Sequence, residues 1–304
     1  MRMRTRLLAL VCAPAMVLTV TGCVETSPDR PLIVVTTNIL GDVVSQVAGD
    51  EAEVLTLMKP DADPHSFEIS AREASRLHDA DLIVSNGLGL EEGLQQHLDS
   101  AAADDVPEFV AGERIDVLDY ADGDATGAPD PHFWTDPARM IDVVTGLEAA
   151  LSGIDDVDAA VIAGNAASYL DELGHLEVEM TDAFAGIPEQ RRALVTNHHV
   201  FGYLAERFGF RVIGAIIPGG TTLAAPSASD LRDLVGAVED AGVPTIFAES
   251  SQPDRLAQVL ADEAGIDVSV VELYTESLTA PGVGADSYLT MMRVNTERIV
   301  TGLS

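Results

Sequence analysis

The sequence predicts an α/β protein of two similar (β/α) lobes, each built on a parallel sheet and joined by one long rigid helix. Three observations predict it. From Leu32 onward, short β-branched runs alternate with amphipathic stretches at regular intervals, the pattern of parallel strands linked by helices. The same alternation begins again at Ala193. Between the two series, residues 157–184 contain no proline and repeat apolar side chains at helical spacing through Ala166, Leu170, Leu173, Leu176, Met180 and Phe184. A helix of that length runs about 40 Å at its rise per residue, enough to act as a stiff spine. Gly164 and Gly174 lie inside it but are isolated, so each costs about 1 kcal/mol against alanine without marking a hinge.

In the first series, strands are expected over 32–37, 53–58, 81–85 and 115–118, and helices over 39–47, 71–78 and 91–100. Ser70-Ala71-Arg72-Glu73 has the capping-box spacing for the second of these helices. In the second series, strands are expected over 193–196, 211–215, 245–248 and 268–273. Its helices are expected over 201–208, 228–241, 253–264 and 286–303. The organisation is therefore an N-terminal lobe over 31–155, a linking helix over 156–186 and a C-terminal lobe over 187–304.

The residues before the first lobe read as a targeting segment. Arg2, Arg4 and Arg6 form a basic start, and the apolar run over 7–20 is too short to span a membrane comfortably. Residues 1–22 thus read as a secretory signal peptide. Val20-Thr21-Gly22-Cys23 resembles the bacterial lipobox, which makes Cys23 the acylated first residue of the mature chain and 23–30 a short polar tether. Cys12 leaves with the signal peptide, so the mature chain has a single cysteine and no internal disulfide. An extracytoplasmic protein held to the membrane by acyl chains works on, or captures, something at the cell surface.

Charge narrows the partners. Lys+Arg number 17 against 50 Asp+Glu, a formal charge of −33, which leaves no basic face to neutralise phosphates and excludes nucleic acid. A 47% hydrophobic content supplies a real core, so the acidity belongs to the surface of a folded protein. Diffuse acidity concentrates cations without selecting among them, and solubility accounts for it more simply than metal harvesting.

Three of the seven histidines fall where predicted strands give way to loops, the end of a parallel sheet at which side chains from different strands converge. His65 follows the 53–58 strand, His132 lies in Asp130-Pro-His-Phe-Trp-Thr-Asp-Pro137, and His198 follows the 193–196 strand. Glu276 follows the 268–273 strand. Three imidazoles and a carboxylate would make a four-coordinate nitrogen and oxygen site, which suits zinc better than magnesium or calcium. Spacing alone does not establish it, because no two of these residues are close in sequence. Trp134 reads as a wall that excludes water from the site. Glu249, ending the 245–248 strand, reads either as an acceptor for a ligand imidazole or as a structural acid. His78, His97 and His175 fall on solvated helix faces. Pro218-Gly219-Gly220 lacks the lysine and spacing of a phosphate loop and reads as a flap beside the cleft.

Several separated segments carry a resemblance. They are Asp63-Pro-His-Ser-Phe-Glu68, Asn86-Gly-Leu-Gly-Leu-Glu91, Asp130-Pro-His-Phe-Trp-Thr-Asp-Pro137, His198-His-Val-Phe-Gly-Tyr203 and Tyr288-Leu-Thr-Met-Met-Arg-Val-Asn295. Together they make the chain, from about Leu32 to its end, resemble the metal-specific solute-binding lipoproteins of ABC transporters, the cluster A-I family that feeds zinc or manganese to importers. The resemblance implies two lobes tied by a rigid helix, with metal at their interface. It implies His65 and His132 as ligands from the first lobe, His198 as the first from the second, and Glu276 as the fourth, where the family usually has Asp. His199 occupies a place usually held by Asp, and so either replaces His198 or supports it. Manganese-specific members usually place Glu where His198 stands, which turns the expectation to Zn2+ as the transported ligand, with Mn2+ the alternative. Many zinc-binding relatives carry a long His-rich loop before the second ligand, whereas this chain has only the acidic segment 122–130.

The implied function is delivery of zinc to an ABC permease and its ATPase by a monomeric, non-enzymatic protein. Release is expected to need docking to the permease, with loop movement near His132 or Gly219 rather than large lobe closure. A zinc metallohydrolase is the rival of another class, and a surface adhesin a further one. The chain has no HExxH motif, and Glu276 would close the position that catalysis needs.

Overall fold

The computed structural model describes residues 30–304 apart from 122, 124, 218, 252–254 and 265–267. The signal peptide, Cys23, nearly all of the tether and Pro218 lie outside the described residues. The first half runs β1 (Leu32–Val35), α1 (Asn38–Ala48), β2 (Glu53–Thr56), α2 (Ala71–His78), β3 (Leu82–Ser85), α3 (Gln95–Ala103), β4 (Glu108–Val110) and α4 (Pro137–Leu151). The long helix α5 (Ala159–Ala185) follows. The second half runs β5 (Ala193–Thr196), α6 (Gly202–Phe208), β6 (Arg211–Ala215), α7 (Ala228–Ala241), β7 (Thr245–Glu249), α8 (Arg255–Ala264), β8 (Ser269–Leu273) and α9 (Tyr288–Leu303).

The strands form two four-stranded sheets, ordered β2-β1-β3-β4 and β6-β5-β7-β8, with parallel pairing throughout. Both faces of each sheet are covered, so central strands read as unbroken apolar runs whose side chains alternate between two cores. In β1, Ile33 and Val35 enter the central core while Leu32 and Val34 enter an outer one with Leu77, Leu98 and Ala101 of α2 and α3. In the second sheet, Leu194 and Phe247 face the central core, while Val195, Ile246 and Ala248 pack with α7 and α8. The central core runs through α1, α4, α5 and α9, so one continuous apolar interior joins both halves of the chain.

Helix α5 buries Ile162, Ala166, Tyr169, Leu173, Leu176, Met180 and Phe184 at intervals of three and four residues. Tyr169 takes the place in this stripe expected of Leu170, which is only partly buried against the core. Polar caps set the helix starts. Ser70 and Glu73 form the expected capping box on α2, and Ser227 and Asp230 form one on α7.

Three local expectations are corrected. Residues 115–118 are not a strand; the fourth strand is Glu108–Val110, in register with Ile83–Ser85. The chain leaves the sheet through a 3-10 turn at Ala111–Arg114, where the Gly112 N–H donates to the Asn86 carbonyl at 2.9 Å and a Cβ on Gly112 would meet that carbonyl at 3.0 Å. The third helix begins at Gln95 rather than at 91. Glu91 turns its buried carboxylate back to accept from the Asn86 and Gly87 amides and the Thr36 hydroxyl. Helix α4 is absent from the expectations, although Asp136 followed by Pro137 is a helix-start signal; Asp136 accepts from the Ala138 amide and Pro137 opens the helix.

Candidate metal centre

Both sheets reverse their strand order beside a central strand, at β1/β3 and at β5/β7, and the crevice beyond the carboxyl ends of such strands is where ligands bind. His65 reaches it from the loop after β2, His198 from the end of β5, Glu276 from the segment after β8, and His132 from the turn that leads into α4. All four are at most 1% exposed.

Their donor atoms converge. Glu276 Oε1 lies 3.1 Å from His65 Nε2, 3.2 Å from His132 Nε2 and 3.1 Å from His198 Nε2. His132 Nε2 is 3.4 Å from His65 Nε2 and 3.3 Å from His198 Nε2, and one donor atom from each residue falls within 4.8 Å of the others. Zinc held tetrahedrally at about 2.0–2.1 Å separates its ligand atoms by about 3.3–3.4 Å, so the cluster has the dimensions of such a site.

Local sequence places the two histidines of the first half in the same way. Each ends an Asp-Pro-His tripeptide in which the aspartate accepts the histidine's own backbone N–H, at 2.9 Å from Asp63 to His65 and 2.9 Å from Asp130 to His132. The repeated tripeptide is a signal in the sequence that identifies Asp63 and Asp130 as supports, a role the sequence reading did not assign. Asp130 goes further and accepts from His132 Nδ1 at 2.7 Å. His198 Nδ1 donates to Glu249 Oε2 at 3.0 Å, so of the two readings of Glu249 the geometry matches the acceptor. His65 Nδ1 has no hydrogen-bond partner, its nearest carboxylate being Glu92 Oε1 at 4.0 Å. Nδ1–carboxylate pairs hold an imidazole in the tautomer whose Nε2 lone pair points at the site.

Trp134 is buried against His132, with ring centroids 5.2 Å apart, and its indole N–H donates to the Thr275 carbonyl at 2.7 Å. His199 is half-buried beside the Tyr120 ring and outside the four-residue cluster. Tyr120 OH donates to the Gly220 carbonyl at 3.1 Å and lies 3.2 Å from His132 Nδ1, while the Thr222 hydroxyl donates to Asp63 at 2.5 Å. Residues 220–222 of the second half are thereby tied to supports of both Asp-Pro-His histidines. Close approach requires glycine at two points: a Cβ on Gly220 would meet the Tyr120 ring at 2.6 Å, and one on Gly202 would meet Asp130 Oδ2 at 2.5 Å.

Burial by itself would keep the imidazoles neutral, but carboxylates outweigh it. Asp130 and Glu276 raise the His132 pKa above its usual value, and Glu276 and Glu249 raise that of His198 well above it. Burial likewise opposes ionisation of Glu276, yet His198 and the surrounding hydrogen bonds hold its carboxyl well below the usual range. Burial and then repulsion from Glu276 push Glu249 up to about 7. In the metal-free site, protons on His132 and His198 thus balance the surrounding carboxylates, and a metal ion binding there would displace them.

Comparison with known proteins agrees. Residues 33–302 match the family model for ZnuA, the periplasmic zinc-uptake complex component A. The manganese-binding lipoprotein MntA of Halalkalibacterium halodurans is 30% identical over 272 residues, covering 90% of this chain and 88% of that protein. The iron-binding protein YfeA of Yersinia pestis is 27% identical, covering 89% and 85%. The structure of the periplasmic zinc-binding protein TroA from Treponema pallidum superposes with a TM-score of 0.83 at 27% identity, covering 90% of this chain and 99% of that one. With its two parallel sheets and a family match over nearly the whole described length, the chain belongs to the ZnuA-type family of ABC-transporter substrate-binding proteins, which bind metal and are not enzymes.

Proposed function

We propose that this protein captures one divalent transition-metal ion, zinc in preference to manganese, at His65, His132, His198 and Glu276, and hands it to an ABC permease and its ATPase. The observation that carries this reading is the buried convergence of three Nε2 atoms and one carboxylate oxygen at tetrahedral ligand spacing. The names of the relatives divide among manganese, iron and zinc, so the metal is argued from the donor set. Three imidazoles favour a borderline ion, whereas manganese prefers octahedral, oxygen-rich surroundings. Glu276 occupies the fourth corner, the position a catalytic zinc keeps for water.

The division into lobes over 31–155 and 187–304, bridged by 156–186, and the membrane anchor at Cys23 belong to the same proposal. No helix among the described residues is long and apolar enough to cross a membrane, which is compatible with attachment by acyl chains.

Metal stoichiometry and competition test the reading, with zinc and manganese buffered by chelators. One zinc per chain that excess manganese fails to displace is the expected result. Retention of manganese against zinc would overturn the preference, and absence of any bound metal would overturn the ligand set.

A further inference from the structure

Glu276 belongs to the second half of the chain by sequence, yet the segment that carries it is held by the first. The change of hold is abrupt. Up to Tyr274 the backbone after β8 is fixed by its own half: Asn295 of α9 accepts from the Tyr274 N–H at 2.9 Å and donates to its carbonyl at 2.6 Å. Over residues 275–278 the segment is held by the first half, before the Thr279 N–H returns to its own loop by donating to the Ala285 carbonyl at 3.0 Å; the Glu276 carboxylate itself also meets His198 and Glu249 of the second half. The Thr275 carbonyl accepts from Trp134 Nε1 at 2.7 Å. The Leu278 N–H donates to Asn38 Oδ1 at 2.9 Å, the Ser277 hydroxyl accepts from Asn38 Nδ2 at 2.9 Å, and the Leu278 carbonyl accepts from the Asp61 N–H at 3.0 Å.

Asn38 is the first residue of α1, directly beyond the carboxyl end of β1, and it is buried. Its amide both donates to and accepts from the 277–278 backbone and side chain, and also donates to the Lys59 carbonyl. A carboxylate on an unsupported segment would lose rotamer and backbone freedom on binding metal; bracketing that segment on both sides removes the cost beforehand.

We infer that Asn38, with Trp134, is a positioning residue that fixes Glu276 to the first half of the molecule, making Glu276 move with His65 and His132 and leaving His198 the one ligand carried by the second. The inference rests on the proposed metal site. It also gives a lobe displacement a defined consequence: His198 separates from three ligands that stay together.

A double-mutant cycle read by zinc affinity tests it. Asn38→Ala is expected to weaken zinc binding about 10- to 100-fold while one site per chain is retained. In a Glu276→Gln background, the same substitution is expected to cost less than about threefold, because the group it positions no longer ligates. Trp134→Phe, which deletes the indole donor and keeps an aromatic wall, should repeat the pattern and decides the matter if Asn38→Ala does not fold. Cobalt spectra should shift in Asn38→Ala in the direction seen for Glu276→Gln. Equal losses in both backgrounds would overturn the inference while leaving the metal site standing. A wild-type protein that binds no metal would remove both.

Discussion

The two sheets repeat one strand order and one style of helix capping, but the two halves contribute unequally to the site. The first half presents His65 and His132 on matching Asp-Pro-His turns and grips the segment bearing Glu276. The second half presents His198, oriented by its own Glu249, and supplies Glu276 on the segment that the first half grips. A second inequality cuts across the first: His132 and His198 each have a carboxylate behind Nδ1, and His65 has none within hydrogen-bond distance. Similar folds thus impose no similar roles; the loops at the strand ends decide which half supplies a donor to the cluster and how firmly it is aimed.

The largest effects should come from the proposed ligands. Alanine at His65, His132 or His198 is expected to lower zinc affinity by at least about 100-fold, close to 2.7 kcal/mol. His199→Ala should change it by no more than about twofold. A titration in which the 198 and 199 variants exchange these results would move the second half's ligand by one residue.

Next in size are the orienting acids. Asp130→Asn and Glu249→Gln should each weaken zinc about 10- to 100-fold, whereas Glu92→Gln, 4.0 Å from a His65 Nδ1 that no carboxylate holds, should change affinity by no more than about twofold. Equal sensitivity at all three positions would erase the distinction between supported and unsupported imidazoles.

The pH dependence follows from the same groups. In the metal-free protein His132, His198 and Glu249 have pKa values above their ordinary ones of 6.5, 6.5 and 4.5, so the folded state binds more protons than the unfolded state across neutrality. Their contribution is fully present at acid pH and fades as pH rises through the folded values. Glu276 acts oppositely, but only as pH falls below its ordinary 4.5. The metal-free protein should therefore melt at a lower temperature at pH 8 than at pH 6. With zinc the order should reverse, because imidazolium cannot ligate and binding improves as protons leave. Calorimetry in two buffers of different ionisation enthalpy should register the released protons.

The smallest effect addresses the shared architecture. Ser70→Ala and Ser227→Ala each remove a capping box, on α2 and α7, and should each cost about 1 kcal/mol of stability with zinc affinity unchanged. A loss of affinity in one alone would tie that helix to the site.

Much of this was legible in the chain. Alternating β-branched and amphipathic runs predicted both sheets because strands buried on two faces must be apolar throughout, as the all-buried LIVV of β1 is. His65 and His198 were legible by position, since each follows a predicted strand that the fold contains, whereas the strand expected before His132 is absent and only its Asp-Pro-His sequence marked it. Less regular segments were not. Residues 115–118 carry strand-like side chains but stand outside the sheet, because a 3-10 turn at Ala111–Arg114 ends the edge strand before them. The start of α3 depended on a carboxylate folding back to amides several residues away, an interaction that local propensity does not encode.

By itself the sequence determined the class of fold, the long connecting helix, the capping box of α2 and the residue types able to hold a borderline metal, because these follow from periodicity and donor chemistry within a few neighbouring residues. Only the tertiary structure decided that four donors from distant loops meet at ligand spacing, that Asp130 and Glu249 back two of the imidazoles, and that Asn38, some 240 positions away from Leu278, grips the segment carrying Glu276. Those facts depend on how two sheets pack around one shared core, and no local preference of the chain specifies that packing.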